Sequence, residues 1–118
     1  MLRNKLNSMS GQEFEWYMAE AFRKMGHKVD IEGGPGDQGV DLLLKVGRKR
    51  VAVQCKLHSK PVGRAAVSEV YAGARYHGAK HAWLVAPGGF TPAAKELAEG
   101  ANVQLLDFAT LRKLLHKD

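Results

Sequence analysis

Hydrophobic positions change their period several times along the chain. Phe14, Met18, Ala21, Phe22 and Met25 recur at helical intervals, and Ser10 and Glu13 have the spacing of a capping box. The pattern predicts a helix that opens at Ser10 and stops at Gly26, where glycine supplies a left-handed C-terminal position. Residues 27–32 read as a short strand, and GGPGDQG (33–39) as a loop dense in turn formers. VDLLLKV (40–46) and KRVAVQCKL (49–57) then flank Gly47-Arg48, two β-rich runs about a Gly-X pair, which is the signal of a tight hairpin. A second helix is expected over 63–77, ending at Gly78, and HAWLVA (81–86) has the character of a buried strand. Thr91-Pro92 opens a third helix as N-cap and first helical residue. NVQLL (102–106) predicts another strand, and Asp107 caps a last amphipathic helix that ends near His116.

The order is α-β-β-β-α-β-α-β-α. An antiparallel hairpin followed by β-α-β alternation predicts an α/β fold, a mixed β-sheet flanked by helices on both faces. Residues 1–9 read as a short N-terminal lead-in and residues 10–118 as a single domain, with no linker or internal repeat. Trp16, Tyr17 and Trp83 are expected to fill the core of their elements.

Composition narrows the function. Among 118 residues, 18 Lys and Arg stand against 12 Asp and Glu, a formal charge of +6 that favours a polyanionic partner. Cys55 is the single cysteine, so an intrachain disulfide and a Cys-rich zinc cluster are both excluded. No stretch has the length and apolarity of a membrane span and residues 1–10 lack the apolar run of a signal peptide, so a cytoplasmic location is the expectation. His27, His77, His81 and His116 have no metal-ligand spacing.

The hairpin carries the chemistry. A two-residue turn at Gly47-Arg48 pairs Val46 with Lys49 and, counting back, places Asp41 opposite Gln54. Strand alternation puts Lys56 on the same face and gives the other face Val40, Leu42, Leu44, Val51, Val53 and Cys55. Polar groups in a central sheet are costly unless partnered. A buried Asp–Lys ion pair or a solvated sheet edge accounts for the three, and so does a metal site for phosphodiester cleavage. In the second reading Asp41 is the anchoring carboxylate of Mg²⁺ or Mn²⁺. The Gln54 oxygen and a neighbouring carbonyl, that of Cys55, add ligands, and Lys56 acts on the attacking water or the phosphate charge.

GPGDQGVDLLL (35–44) followed by VQCK (53–56) resembles the Mrr-type restriction endonuclease domain of the PD-(D/E)XK nuclease superfamily. GQEFE (11–15), KPV (60–62) and FTPAAKELAEGANVQLLD (90–107) extend the likeness across residues 10–116. The resemblance implies a restriction-endonuclease-like core and divalent-metal-dependent cleavage of DNA. It makes Asp41 the metal-binding aspartate, puts Gln54 where many relatives have Glu, makes Lys56 the catalytic lysine, and gives Glu15 a place in the metal site. Asp37 falls in the matching loop motif.

Asp37, Lys49, His58, Lys60 and Arg64 are candidate DNA contacts, with Lys45, Arg48 and Arg50 as further cations of the same rim. The reading is an endodeoxyribonuclease of restriction, phage defence or DNA processing, with DNA as its partner and a homodimer expected because cutting both strands needs two sites. Recognition is structural, weak or supplied by a separate chain or domain. The alternatives are a structure-specific nuclease similar to Holliday-junction resolvases and a catalytically idle DNA-binding module.

Overall fold

Local chemistry sets the helix ends. In the computed structural model, which describes residues 1–32 and 39–115, Ser10 opens a helix through a closed capping box. Its hydroxyl accepts from the Glu13 N–H at 3.1 Å, and the Glu13 carboxylate accepts from the Ser10 N–H at 2.8 Å. This helix, α2 (Gly11–Lys24), follows a shorter one, α1 (Leu2–Asn7), formed by residues expected as a lead-in. Leu2 and Leu6, one helical turn apart, are buried against the core. The last turn of α2 gives way to Gly26, at φ +97°.

The strands are β1 (Lys28–Ile31), β2 (Leu42–Val46), β3 (Lys49–Cys55), β4 (His81–Val85) and β5 (Val103–Leu106), and they form one sheet in sequential order. β1, β2 and β3 are antiparallel, and β3, β4 and β5 are parallel, so the sheet is mixed as expected. Gly47 takes φ +65° in the hairpin turn, and the register runs from Val46↔Lys49 to Leu42↔Val53. The crossovers are α3 (Arg64–Tyr76) and α4 (Pro92–Ala101), and α5 (Phe108–Leu115) closes the chain.

Alternation along the strands divides the core in two. Ala52, Ala82 and Leu84 face α3 and α4, meeting Val67, Val70, Ala94 and Ala98. Leu42, Leu44, Val51, Val53 and Val85 face the other layer, meeting Leu6, Phe14, Met18, Phe22 and Leu111. Val40 departs from the expected alternation and packs with the α3–α4 layer. The ladder ends at Leu42, so the two-residue period no longer applies to it. Trp83 packs on Phe22 with ring centroids 5.7 Å apart, and Tyr17 is partly buried. Trp16 is not core, since it is 54% exposed on the outer side of α2. Among the described residues no helix is long and apolar enough to cross a membrane. The loop 33–38 with Asp37, and the expected end of the last helix at His116, lie outside the described residues.

Asp107 accepts from the Thr110 N–H at 2.9 Å and caps α5, and this hydrogen bond holds its carboxyl below the usual range. A lowered folded pKa stabilises above the unfolded pKa and ceases to do so as pH falls through the folded value. Asp107→Ala and Ser10→Ala are each expected to cost about 1 kcal/mol in urea unfolding at neutral pH. The Asp107→Ala difference should shrink toward zero in acid, through the range in which that carboxyl protonates. A cost that stays constant down to full protonation contradicts the cap.

Candidate active site

β3 delivers its polar residues at the end where the sheet runs out of partners. Val51, Ala52 and Val53 are buried hydrophobics, and Gln54 follows them at 5% exposure, the buried polar side chain of the described core. It pairs in register with Leu84, on the face covered by α3. Its Nε2 donates to Glu69 Oε1 of α3 at 3.4 Å, while its Oε1 is buried with no hydrogen-bond partner among the described residues. Lys56 comes next along this edge. Its backbone N–H still donates to Val85 O at 2.8 Å, which fixes the chain, and its Nζ lies 3.9 Å from the same Glu69 Oε1.

Asp41 sits where β2 begins, and it is not the ladder partner of Gln54. Its N–H donates to Val53 O and its carbonyl accepts from the Glu32 N–H, both at 2.8 Å. The carboxylate then takes the place of the missing strand, with Oδ2 accepting from the Cys55 N–H at 2.7 Å. Cys55 is half-buried, and its thiol is pushed well above the ordinary value, first by burial and then by the nearby carboxylates of Asp41 and Glu15. Two acids thus act on one point at the end of β3, one just before β2 and one from α2.

These side chains line one open cleft of about 600 Å³. Asp41, Gln54, Lys56 and Glu15 all reach it, so the structure brings together the residues expected from the sequence. The cleft lies beyond the C-terminal ends of the parallel strands, between α2 on one side and α3 on the other, which is where open α/β sheets bind ligands. His58 lines it and is exposed. Lys60 and Arg64 are exposed in the segment that leads from this edge into α3. Lys49 is at the other end, because β3 carries it roughly 20 Å from Cys55 at about 3.3 Å per residue. Lys45, Arg48 and Arg50 share that remote end, so the hairpin cations do not rim the cleft.

Glu69 was not singled out from the sequence. It is the one acid of α3, a signal that was available, but only the crossover shows that it meets Gln54 and Lys56.

Among the described residues no group of three or more His, Cys, Asp and Glu converges as a ready metal cage. A hard divalent cation does not need one, since it takes one or two carboxylates and completes its shell with neutral oxygens. The unpartnered buried Oε1 of Gln54, beside a cleft that Asp41 and Glu15 also line, fits that demand.

The family model of the Mrr catalytic domain, described as restriction endonuclease, matches residues 6–115. The chain is 29% identical over 114 residues to the type IV methyl-directed restriction enzyme EcoKMrr of Escherichia coli K12, covering 90% of this chain and 37% of that protein. In fold it is similar to a repair endonuclease from Pyrococcus abyssi, with a TM-score of 0.63, 23% identity, and coverage of 85% of this chain and 47% of that one. It is also similar to the MspJI restriction endonuclease solved with a 27-mer oligonucleotide, with a TM-score of 0.69, 22% identity, and coverage of 96% and 30%. The chain therefore spans less than half the length of each of these relatives.

Gly39 makes the cleft wall testable. It has φ +73°, and a Cβ there would lie 2.8 Å from Glu69 O, whereas Gly47 at φ +65° has nothing within 4 Å. Both alanine variants incur left-handed backbone strain of about 1–3 kcal/mol, and only Gly39→Ala adds a clash with α3. Urea midpoints should fall further for Gly39→Ala than for Gly47→Ala. Equal losses contradict the close approach.

Proposed function

The chain belongs to the Mrr family of restriction endonucleases, and on that premise we propose that it is a divalent-metal-dependent endodeoxyribonuclease that hydrolyses DNA phosphodiester bonds. One observation carries the metal-dependent part, the buried Gln54 Oε1 with no partner among the described residues, beside a cleft that Asp41 and Glu15 line. An orphaned acceptor at the end of a packed strand costs about 1–3 kcal/mol, which a ligand in the cleft would offset. Asp41, Gln54 and Glu15 are the residues that would hold Mg²⁺ or Mn²⁺, with the Cys55 carbonyl as a further oxygen. When bound, such an ion supplies Lewis acidity to the phosphate and lowers the pKa of water.

The protein's own groups do the rest. Lys56 brings an ammonium to the cleft, held by backbone pairing to β4 and by the Glu69 contact, where it can orient a water and offset charge that grows on the phosphate. The N-termini of α2, α3, α4 and α5 all lie at this edge of the sheet, so their partial positive charges favour an approaching phosphate. Lys60, Arg64 and His58 extend that field outward. We place the activity in restriction, phage defence or DNA processing in the cytoplasm. Recognition is structural, weak or supplied by another chain or domain, and two copies act together to cut both strands.

The direct test is incubation of supercoiled, linear, methylated and four-way-junction DNA with Mg²⁺, Mn²⁺ or EDTA. Cleavage should need the metal. A folded protein that binds these DNAs and cuts none of them with either metal is an idle DNA-binding module, and preference for the junction makes it a structure-specific nuclease. Asp41→Ala should abolish calorimetric Mn²⁺ binding and cleavage together. Lys56→Ala should keep metal binding and lose about 10²-fold in single-turnover cleavage, the scale for removing a preorganised charge-stabilising donor. Near wild-type rates for Lys56→Ala contradict the mechanism.

The basic residues make a separate prediction. Phosphate contacts flatten the salt dependence of binding when removed. Lys60→Ala with Arg64→Ala should reduce the slope of log affinity against log salt, and Lys49→Ala should leave it unchanged. The reverse pattern moves the DNA path to the hairpin end.

A further inference from the structure

Glu69 belongs to none of the motif segments, yet one of its oxygens touches two motif residues. Oε1 accepts from Gln54 Nε2 at 3.4 Å and lies 3.9 Å from Lys56 Nζ. A carboxylate offers only acceptors, so it selects one of the two orientations of the Gln54 amide. Nε2 must face α3, and the oxygen must face the other way. That oxygen is the buried, unpartnered Oε1. From these contacts we infer that Glu69 is a positioning residue: it locks the Gln54 amide with its oxygen presented as a ligand and steers Lys56 beside it. The inference rests on the nuclease reading for what the oxygen binds, and on geometry alone for the lock.

A purely structural role explains Glu69 poorly. Its side chain is 55% exposed, and an ion pair of that exposure contributes little to stability. Its backbone, by contrast, is held closely, since Gly39 packs so near that an added Cβ would lie 2.8 Å from Glu69 O. The chain that leads into Asp41 and the helix that carries Glu69 are therefore seated against each other. A glutamine at position 69 has the same size but presents either end, so it would tolerate both orientations of the Gln54 amide.

Two measurements on the full chain separate the lock from its use. In ¹⁵N-labelled metal-free protein, Glu69→Gln and Glu69→Ala should shift the Gln54 side-chain amide resonances and speed their solvent exchange, while the melting temperature changes little. Unmoved Gln54 resonances in either folded variant overturn the proposal. In calorimetric Mn²⁺ titrations, Glu69→Gln should weaken binding by about 10-fold, the lower scale for losing a group that orients a ligand. The same change made on a Gln54→Ala background should cost nothing further, because Glu69 acts through Gln54. An equal loss in both backgrounds makes Glu69 a direct ligand or a simple charge, and overturns the positioning role. If the amide responds as stated but the unmodified protein binds no Mn²⁺, the lock stands and the metal reading of the site fails.

Discussion

A carboxamide buried at the end of a hydrophobic strand sets the terms for everything around it. Gln54 continues a run of buried Val51, Ala52 and Val53, in register with Leu84, so neither solvent nor a sheet partner satisfies its side chain. Glu69 takes its donor end, and among the described residues nothing takes its acceptor end. A core that only had to be stable would place an apolar residue here, because an unmet buried acceptor is expensive. Strain of this kind is expected where the fold gives up stability for a site.

The fold supplies the neighbours that make the deficit useful. β2 begins only at Leu42, so Cys55 has no backbone partner on that side and the Asp41 carboxylate replaces it at 2.7 Å. The same change from antiparallel to parallel pairing at β3 opens the edge between α2 and α3, where Glu15 and Lys56 reach the cleft. Helix N-termini collect at that edge, whereas the hairpin cations collect at the other. Positive charge at the cleft edge therefore comes from helix ends, Lys56 and the 58–64 segment.

Much of this was legible in the sequence, and the rest was not for identifiable reasons. Turn chemistry at Gly47-Arg48 was enough to give the hairpin register down to Leu42↔Val53, and the caps at Ser10, Thr91 and Asp107 marked the helix starts. Counting further along the ladder misplaced Val40 and set Asp41 opposite Gln54, because pairing rules do not reveal where pairing stops. Lys49 looked close to Lys56 in a hairpin drawn as a list of residues, but the length of β3 separates them. Glu69 stood out as the one acid of α3, but what it meets is set by the crossover, a tertiary fact. The burial of Leu2 and Leu6 was signalled by their four-residue spacing, too short a run to distinguish a helix from a lead-in.

The central claim is that the cleft binds a divalent cation through Asp41 and the orphaned oxygen of Gln54. Anomalous diffraction from crystals soaked in Mn²⁺ tests it at the atoms concerned. A peak is expected within about 2.0–2.4 Å of an Asp41 carboxylate oxygen and of Gln54 Oε1, the range for hard cations on oxygen. Anomalous density elsewhere on the protein, with Gln54 Oε1 still unpartnered in an empty cleft, would contradict it.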